Sequence, residues 1–103
     1  MTAWMRCYWD EDDVWFFFEL DTAGWVTRQV EVQGPQRVAI AAACLVEEQQ
    51  AREAGRLAEY ERRFGMTAQA PVSEWEGHDP QPLTRQEFEE AWDRARQQLA
   101  GEL

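Results

Sequence analysis

The stretch from Val14 to Val32, VWFFFELDTAGWVTRQVEV, constrains the fold more than any other part of the chain. Two runs of aromatic and β-branched residues flank a Thr22-Ala23-Gly24 break. Gly24 can take the positive φ that closes a three-residue hairpin loop. Pairing Asp21 with Trp25 across that loop sets Leu20 against Val26, Phe18 against Arg28, Phe16 against Val30 and Val14 against Val32. In this register one face is almost wholly apolar, whereas a two-residue loop would mix the faces. The register therefore predicts Phe16, Phe18, Leu20, Val26, Val30 and Val32 buried together. The opposite face then carries Trp15, Phe17, Glu19, Trp25 and Glu31, aromatic at one end and acidic at the other.

The 103 residues suit a single domain over 1–103 with an unaided core. Six Trp, five Phe and two Tyr supply much of the apolar area for it. The formal net charge is −10, and every basic residue is Arg. Such a surface repels phosphate backbones, which argues against nucleic acid, and it suits solubility or a basic protein partner. Two cysteines, Cys7 and Cys44, are too few for a disulfide framework or a cysteine metal cluster. The first residues, MTAWMRCYWDEDD, reach acids too early for a signal peptide, and no stretch approaches the ~20 apolar residues of a membrane span. The expectation is a cytoplasmic protein with reduced thiols.

Ala3 to Trp9 reads as a strand ahead of the hairpin, with Asp10 to Asp13 as an acidic turn. That turn lacks the glycine and distal glutamate of an EF-hand loop. After the break at Gly34-Pro35, alternation of Val38, Ile40 and Ala42 suggests another strand with its even side toward the core. Leu45 to Phe64 reads as one helix with a mid-helix Gly55, ended by Gly65. Prolines interrupt 66–83, which Trp75 should pin to the core. Thr84 and Glu87 form a capping box, with Leu83 and Phe88 as a hydrophobic staple. Phe88, Ala91, Trp92, Ala95 and Leu99 make one helical stripe. The predicted architecture is α+β, an antiparallel four-stranded meander followed by two helices on one face, in the order ββββαα.

Three blocks carry a family resemblance: FELDTAGWVTRQVEV at the hairpin, EYERRFG ending the first helix and LTRQEFEEAW opening the last. In these the chain resembles a family of small, uncharacterised bacterial proteins common in actinomycetes, a domain of unknown function. The resemblance implies a compact α+β domain and transfers no activity, cofactor or active residue.

No residue pattern calls for a catalytic centre. His78 stands among Glu74, Glu76 and Asp79, but a single His with loop carboxylates falls short of the convergent ligands a metal site needs. No nucleophile triad, glycine-rich phosphate loop or CxxC occurs. Cys7 and Cys44 read as small core residues. Arg28, set opposite Phe18, must be paired, stacked or bound to an anion; a structural ion pair is the simpler reading. The sequence reading is thus a non-enzymatic, acidic interaction module without cofactor or metal. Its role would be regulatory or toxin-neutralising, and its partner another protein or a second copy. It would act through Trp15, Phe17, Trp25, Glu19 and Glu31. The alternative is a small-ligand binder or enzyme with a pocket between the sheet and the 66–83 segment.

Overall fold

The computed structural model describes residues 1–75 and 79–100. Strands β1 (Ala3–Trp9), β2 (Val14–Leu20), β3 (Val26–Gln33) and β4 (Val38–Cys44) form an antiparallel meander. A short β5 (Gln81–Pro82) adds outside β1, giving the order β4-β3-β2-β1-β5. Helices α1 (Leu45–Glu53), α2 (Leu57–Phe64) and α3 (Arg85–Ala100) complete the α+β arrangement. Phe64 of α2 joins Phe88, Ala95 and Leu99 of α3 in one cluster against Val30, Ala39 and Ala42, so these helices meet the same face of the sheet.

The hairpin closes on the expected loop. Gly24 has φ +86°, its N–H donates to the Asp21 carbonyl, and the Asp21 carboxylate accepts from the N–H groups of Ala23 and Trp25. Leu20 lies opposite Val26 as predicted, but the register then departs from the sequence reading. A bulge at Thr27 sets Glu19 opposite Arg28, Phe18 opposite Gln29, Phe17 opposite Val30 and Trp15 opposite Val32. Val30 and Val32 therefore share a face with Trp15 and Phe17, not with Phe18.

Both faces of the sheet are covered. Met5, Cys7, Phe18, Leu20 and Val26 pack under Ala68, Val72 and Trp75 of the 66–75 segment. Val30, Phe17 and Val32 pack under α3. With apolar residues wanted on both sides, alternation alone no longer selects the register. The bulge also moves the Arg28 guanidinium from the aromatic Phe18 to the carboxylate of Glu19. Gln29 takes the buried place, where it accepts from the Ala68 N–H and donates to Glu31.

A second bulge, at Ile40, overturns the expected facing of β4: Val32 opposes Ala39 and Glu31 opposes Ala41. Ala39, Ala41, Ala42 and Ala43 are buried, while Val38 and Ile40 are exposed. Small side chains are needed here, because a Cβ on Gly65 would lie 2.8 Å from that of Ala41. The helix expected over 45–64 is also divided. Gly55 takes φ +73°, its N–H bonds the Arg52 carbonyl, and the Arg56 N–H reaches back to Ala51, a Schellman stop. The capping box of α3 forms as expected: Glu87 N–H to Thr84 Oγ1 at 3.1 Å and Thr84 N–H to Glu87 Oε1 at 2.9 Å.

Side chains from the helices occupy the outer edge of β4. Gln98 accepts from the Ala39 N–H, Arg96 donates to the Ala42 carbonyl and the Tyr60 hydroxyl accepts from the Cys44 N–H. Groups that would template another strand are thereby paired within the chain.

Candidate functional site

Between the sheet and α3 the chain builds two neighbouring sites from the same ingredients, arginine on aromatic rings. In the first, Arg28 on β3 meets Glu19 on β2 and Glu89 on α3, at 2.6 Å and 2.8 Å. Its Nε also donates to Glu19 and its Nη1 to Glu89, so both carboxylates are held in bidentate fashion. The guanidinium lies 4.9 Å from the Phe88 ring centroid and 5.1 Å from that of Trp92. Glu19 accepts further bonds from Trp4 Nε1 and Thr27 Oγ1. Arg28 above all, then Thr27 and Trp4, hold its carboxyl far below the usual carboxylate range, at about 2, against the opposing effect of burial. With four of its five N–H donors given to two carboxylates, Arg28 is a structural ion pair.

The second site is a pocket of about 410 Å³ lined by residues of β1, β2, β3, β4, the β3–β4 turn and α3. Its floor is Trp15, Phe17 and Val32, facing α3 in consequence of the bulge at Thr27. On α3 the stripe places Phe88 and Trp92 over the Arg28 site, whereas Ala91 and Ala95 leave the volume open above Trp15 and Phe17. Arg6, Arg37 and Arg94 supply its charge, and no carboxylate is among its described lining residues. In a chain of net charge −10, that is a local inversion of sign.

Each of these arginines is held differently. Arg6 lies over the Trp15 ring, 4.8 Å from its centroid, and donates to the neutral amide of Gln81 at 2.9 Å. Arg37 sits in the β3–β4 turn with φ +55°, an uncommon conformation for a residue with a Cβ. Its Nη1 donates to the Gly34 carbonyl and, at 3.2 Å, to Asp13. Asp13 also accepts from the Tyr8 hydroxyl at 2.8 Å; these two bonds, Tyr8 first, draw its carboxyl below the ordinary value. Arg94, exposed on α3, has no hydrogen-bond or ion-pair partner among the described residues.

The candidate face read from the sequence is dispersed by this geometry. Trp15 and Phe17 line the pocket, and Glu19 belongs to the Arg28 pair. Glu31 stands opposite Phe16 and Ala41 on the other side of the sheet, where burial raises its pKa. Trp25 remains 41% exposed at the hairpin tip. The 66–75 segment is docked instead of draped over a cavity: Val72 N–H bonds the Gly24 carbonyl at 2.8 Å, and Trp75 packs edge-on to Phe18. Glu76 and His78 lie outside the described residues, while Glu74 and Asp79 are exposed. Among the described residues, no three His, Cys, Asp or Glu converge as metal ligands.

Sequence reasoning missed Arg6, Arg37 and Arg94. The available signal was Arg37 two residues past Pro35, within the turn, and Arg94 between Ala91 and Ala95 of the α3 stripe. It also missed Arg96, which stacks between Phe64 and Trp92 and pairs with Glu47, itself bonded by Tyr60. Scans of protein families, curated proteins and solved structures return no match to this chain.

Proposed function

We propose that this chain is a non-enzymatic binding protein that holds a small organic ligand between its sheet and α3. The observation that supports this reading is the pocket itself. Its volume of about 410 Å³ falls in the range of ligand sites, about 300–1,000 Å³. It combines an apolar floor with a few polar groups fixed by neighbours, the usual anatomy of such sites. No described helix is long and apolar enough to cross a membrane. The free thiols of Cys7 and Cys44 fit a cytoplasmic setting. The likeness to the actinomycete family adds no activity to this reading. Purification from the native host, followed by mass spectrometry of extracted small molecules and of co-purifying proteins, tests it. A stoichiometric metabolite is expected; a stoichiometric protein partner with no small molecule would overturn it.

One observation favours a second reading, an acidic protein-interaction module of regulatory or toxin-neutralising type, acting on a protein partner or as a homodimer. Trp25 stays 41% exposed at the hairpin tip, next to Asp21, in a chain of net charge −10. Under this reading Trp25→Ala weakens association by about 2 kcal/mol and leaves the melting temperature in place.

A further inference from the structure

We infer that the pocket between the sheet and α3 selects a planar organic anion, an aromatic or conjugated ring system bearing one carboxylate or phosphate. This rests on the binding reading above and specifies its ligand class.

Arg6, Arg37 and Arg94 line one pocket with no carboxylate among its described lining residues. Arg6 is anchored by an uncharged amide, Gln81, and not by a carboxylate. Arg94 has no partner among the described residues. Arg37 is bonded to an acid, Asp13, through Nη1, which leaves Nε and Nη2 uncommitted, and Glu87 at the start of α3 lies within electrostatic reach of Arg6 without bonding it. A cation would be repelled from such a pocket. A neutral guest would leave the like charges uncompensated, whereas an anion gains charge-assisted bonds from guanidinium groups already in place. Arg28 supplies the internal control. On the same side of the sheet, an arginine whose task is structural is matched by two carboxylates.

Trp15, Phe17 and Val32 form an apolar floor, and Ala91 and Ala95 present only methyl groups above it. The pocket lies between the sheet and α3, and the α3 residues that line it are Ala91, Arg94, Ala95 and Gln98, none of them aromatic. Its volume lies toward the small end of ligand sites, which suits one or two rings. The Arg6 guanidinium stacked on Trp15 adds a flat cationic surface against which an anionic π-system packs. Bonds from Arg37 Nη1 to the Gly34 carbonyl and to Asp13 hold its guanidinium at the margin of the pocket.

The test is calorimetric titration of the whole protein with indole-3-carboxylate, 1-naphthyl phosphate and the neutral isostere indole-3-carboxamide, alongside identification of any metabolite from the native host. The expected result is that at least one anion binds about tenfold or more tightly than the amide, with affinity falling as salt rises. Whichever of carboxylate and phosphate binds tighter names the head group. Arg94→Gln, on an exposed position, lowers anion affinity about tenfold and amide affinity much less, so the preference for the anion shrinks. Ala91→Phe, which fills the pocket, abolishes binding of every probe while circular dichroism stays native. Equal affinity for amide and anions, or a neutral metabolite from the host, would overturn the inference and leave the binding reading standing. No binding of any probe and no metabolite from the host would overturn both.

Discussion

The Arg28 site and the pocket lie under one helix and on one face of one sheet, yet one is closed and the other open. At the closed site, Phe88 and Trp92 of α3 cover the guanidinium and two carboxylates saturate it. At the open site, Ala91 and Ala95 take the places where α3 meets Trp15 and Phe17, and three guanidiniums line the pocket with no carboxylate among its described residues. The difference shows what separates a structural arginine from an available one. Aromatic contact is common to both, since Arg6 stacks on Trp15 much as Arg28 stacks on Phe88. What differs is the count of carboxylates within reach and the size of the helix residue above.

If the closed site is what fastens α3, damage there should dominate the stability of the protein. Phe88 is fully buried in the cluster that joins α3 to β3 and β4. Phe88→Ala should cost about 3–5 kcal/mol in urea denaturation. A cost under ~1 kcal/mol would mean that α3 is held mainly by its pocket half, and the comparison would fail.

Glu19→Ala ranks next. It removes one of the two carboxylates of Arg28 and leaves Trp4 Nε1 and Thr27 Oγ1 without their acceptor. A fully buried pair broken in this way costs ~3–5 kcal/mol. Glu89 remains and solvent still reaches both groups, so about 2–3 kcal/mol is the expected loss. The same site gives a pH signature. Its carboxyl is depressed in the folded chain from an ordinary 4.5 to about 2, so it contributes stability above pH 4.5 that is lost as pH falls toward 2. Acid denaturation of Glu19→Gln should therefore show a flatter slope between those values than the parent protein. An unchanged slope would place the acid-labile interactions elsewhere.

How far the sequence could foresee this contrast depends on what each signal measures. Local signals were reliable: Gly24 closed the hairpin loop, Thr84 and Glu87 formed their box, and Gly65 followed the last helical residue, Phe64. Each rests on backbone chemistry within a few residues. Facing was less legible. The alternation argument broke at Thr27 and Ile40, because a bulge reverses every later side chain and both faces of this sheet are covered. Gly55 looked like a penalty inside a helix because its role as a stop depends on φ, which composition does not show. Arg28 was recognisable as needing a partner, and Glu19 could have been named had the bulge been read. The pocket was not legible, since Arg6, Arg37 and Arg94 come from three distant parts of the chain. It is an absence of bulk at Ala91 and Ala95, and a stripe of apolar residues reads the same whether its members fill space or leave it.

A smaller effect is expected at the start of α3. Thr84 satisfies the Glu87 N–H and, in return, Glu87 satisfies that of Thr84. Thr84→Ala should cost about 1 kcal/mol. Because the cap precedes Phe88 and Glu89, hydrogen exchange should quicken in the first turn of α3 and leave the turns carrying Ala95 and Leu99 protected. Uniform quickening along the helix would show that the two ends are not energetically separate.

The smallest expected change in stability is the one that most sharpens the comparison. Arg94 is exposed, has no partner among the described residues, and shares the pocket with Arg6 and Arg37. Removing its charge breaks no bond seen in the structure, and glutamine keeps the helix propensity of the position. Arg94→Gln should therefore lie within about 0.5 kcal/mol of the parent in urea denaturation, with any difference fading as salt is added. Arg28→Gln should go the other way, strongly destabilising because it leaves Glu19 and Glu89 facing each other without their shared cation. The pair of measurements reads the distinction directly, one arginine whose loss the fold resists and one it does not feel. A destabilisation by Arg94→Gln comparable to that of Arg28→Gln would show that the pocket arginines hold the fold together, and the open site would then be structural as well.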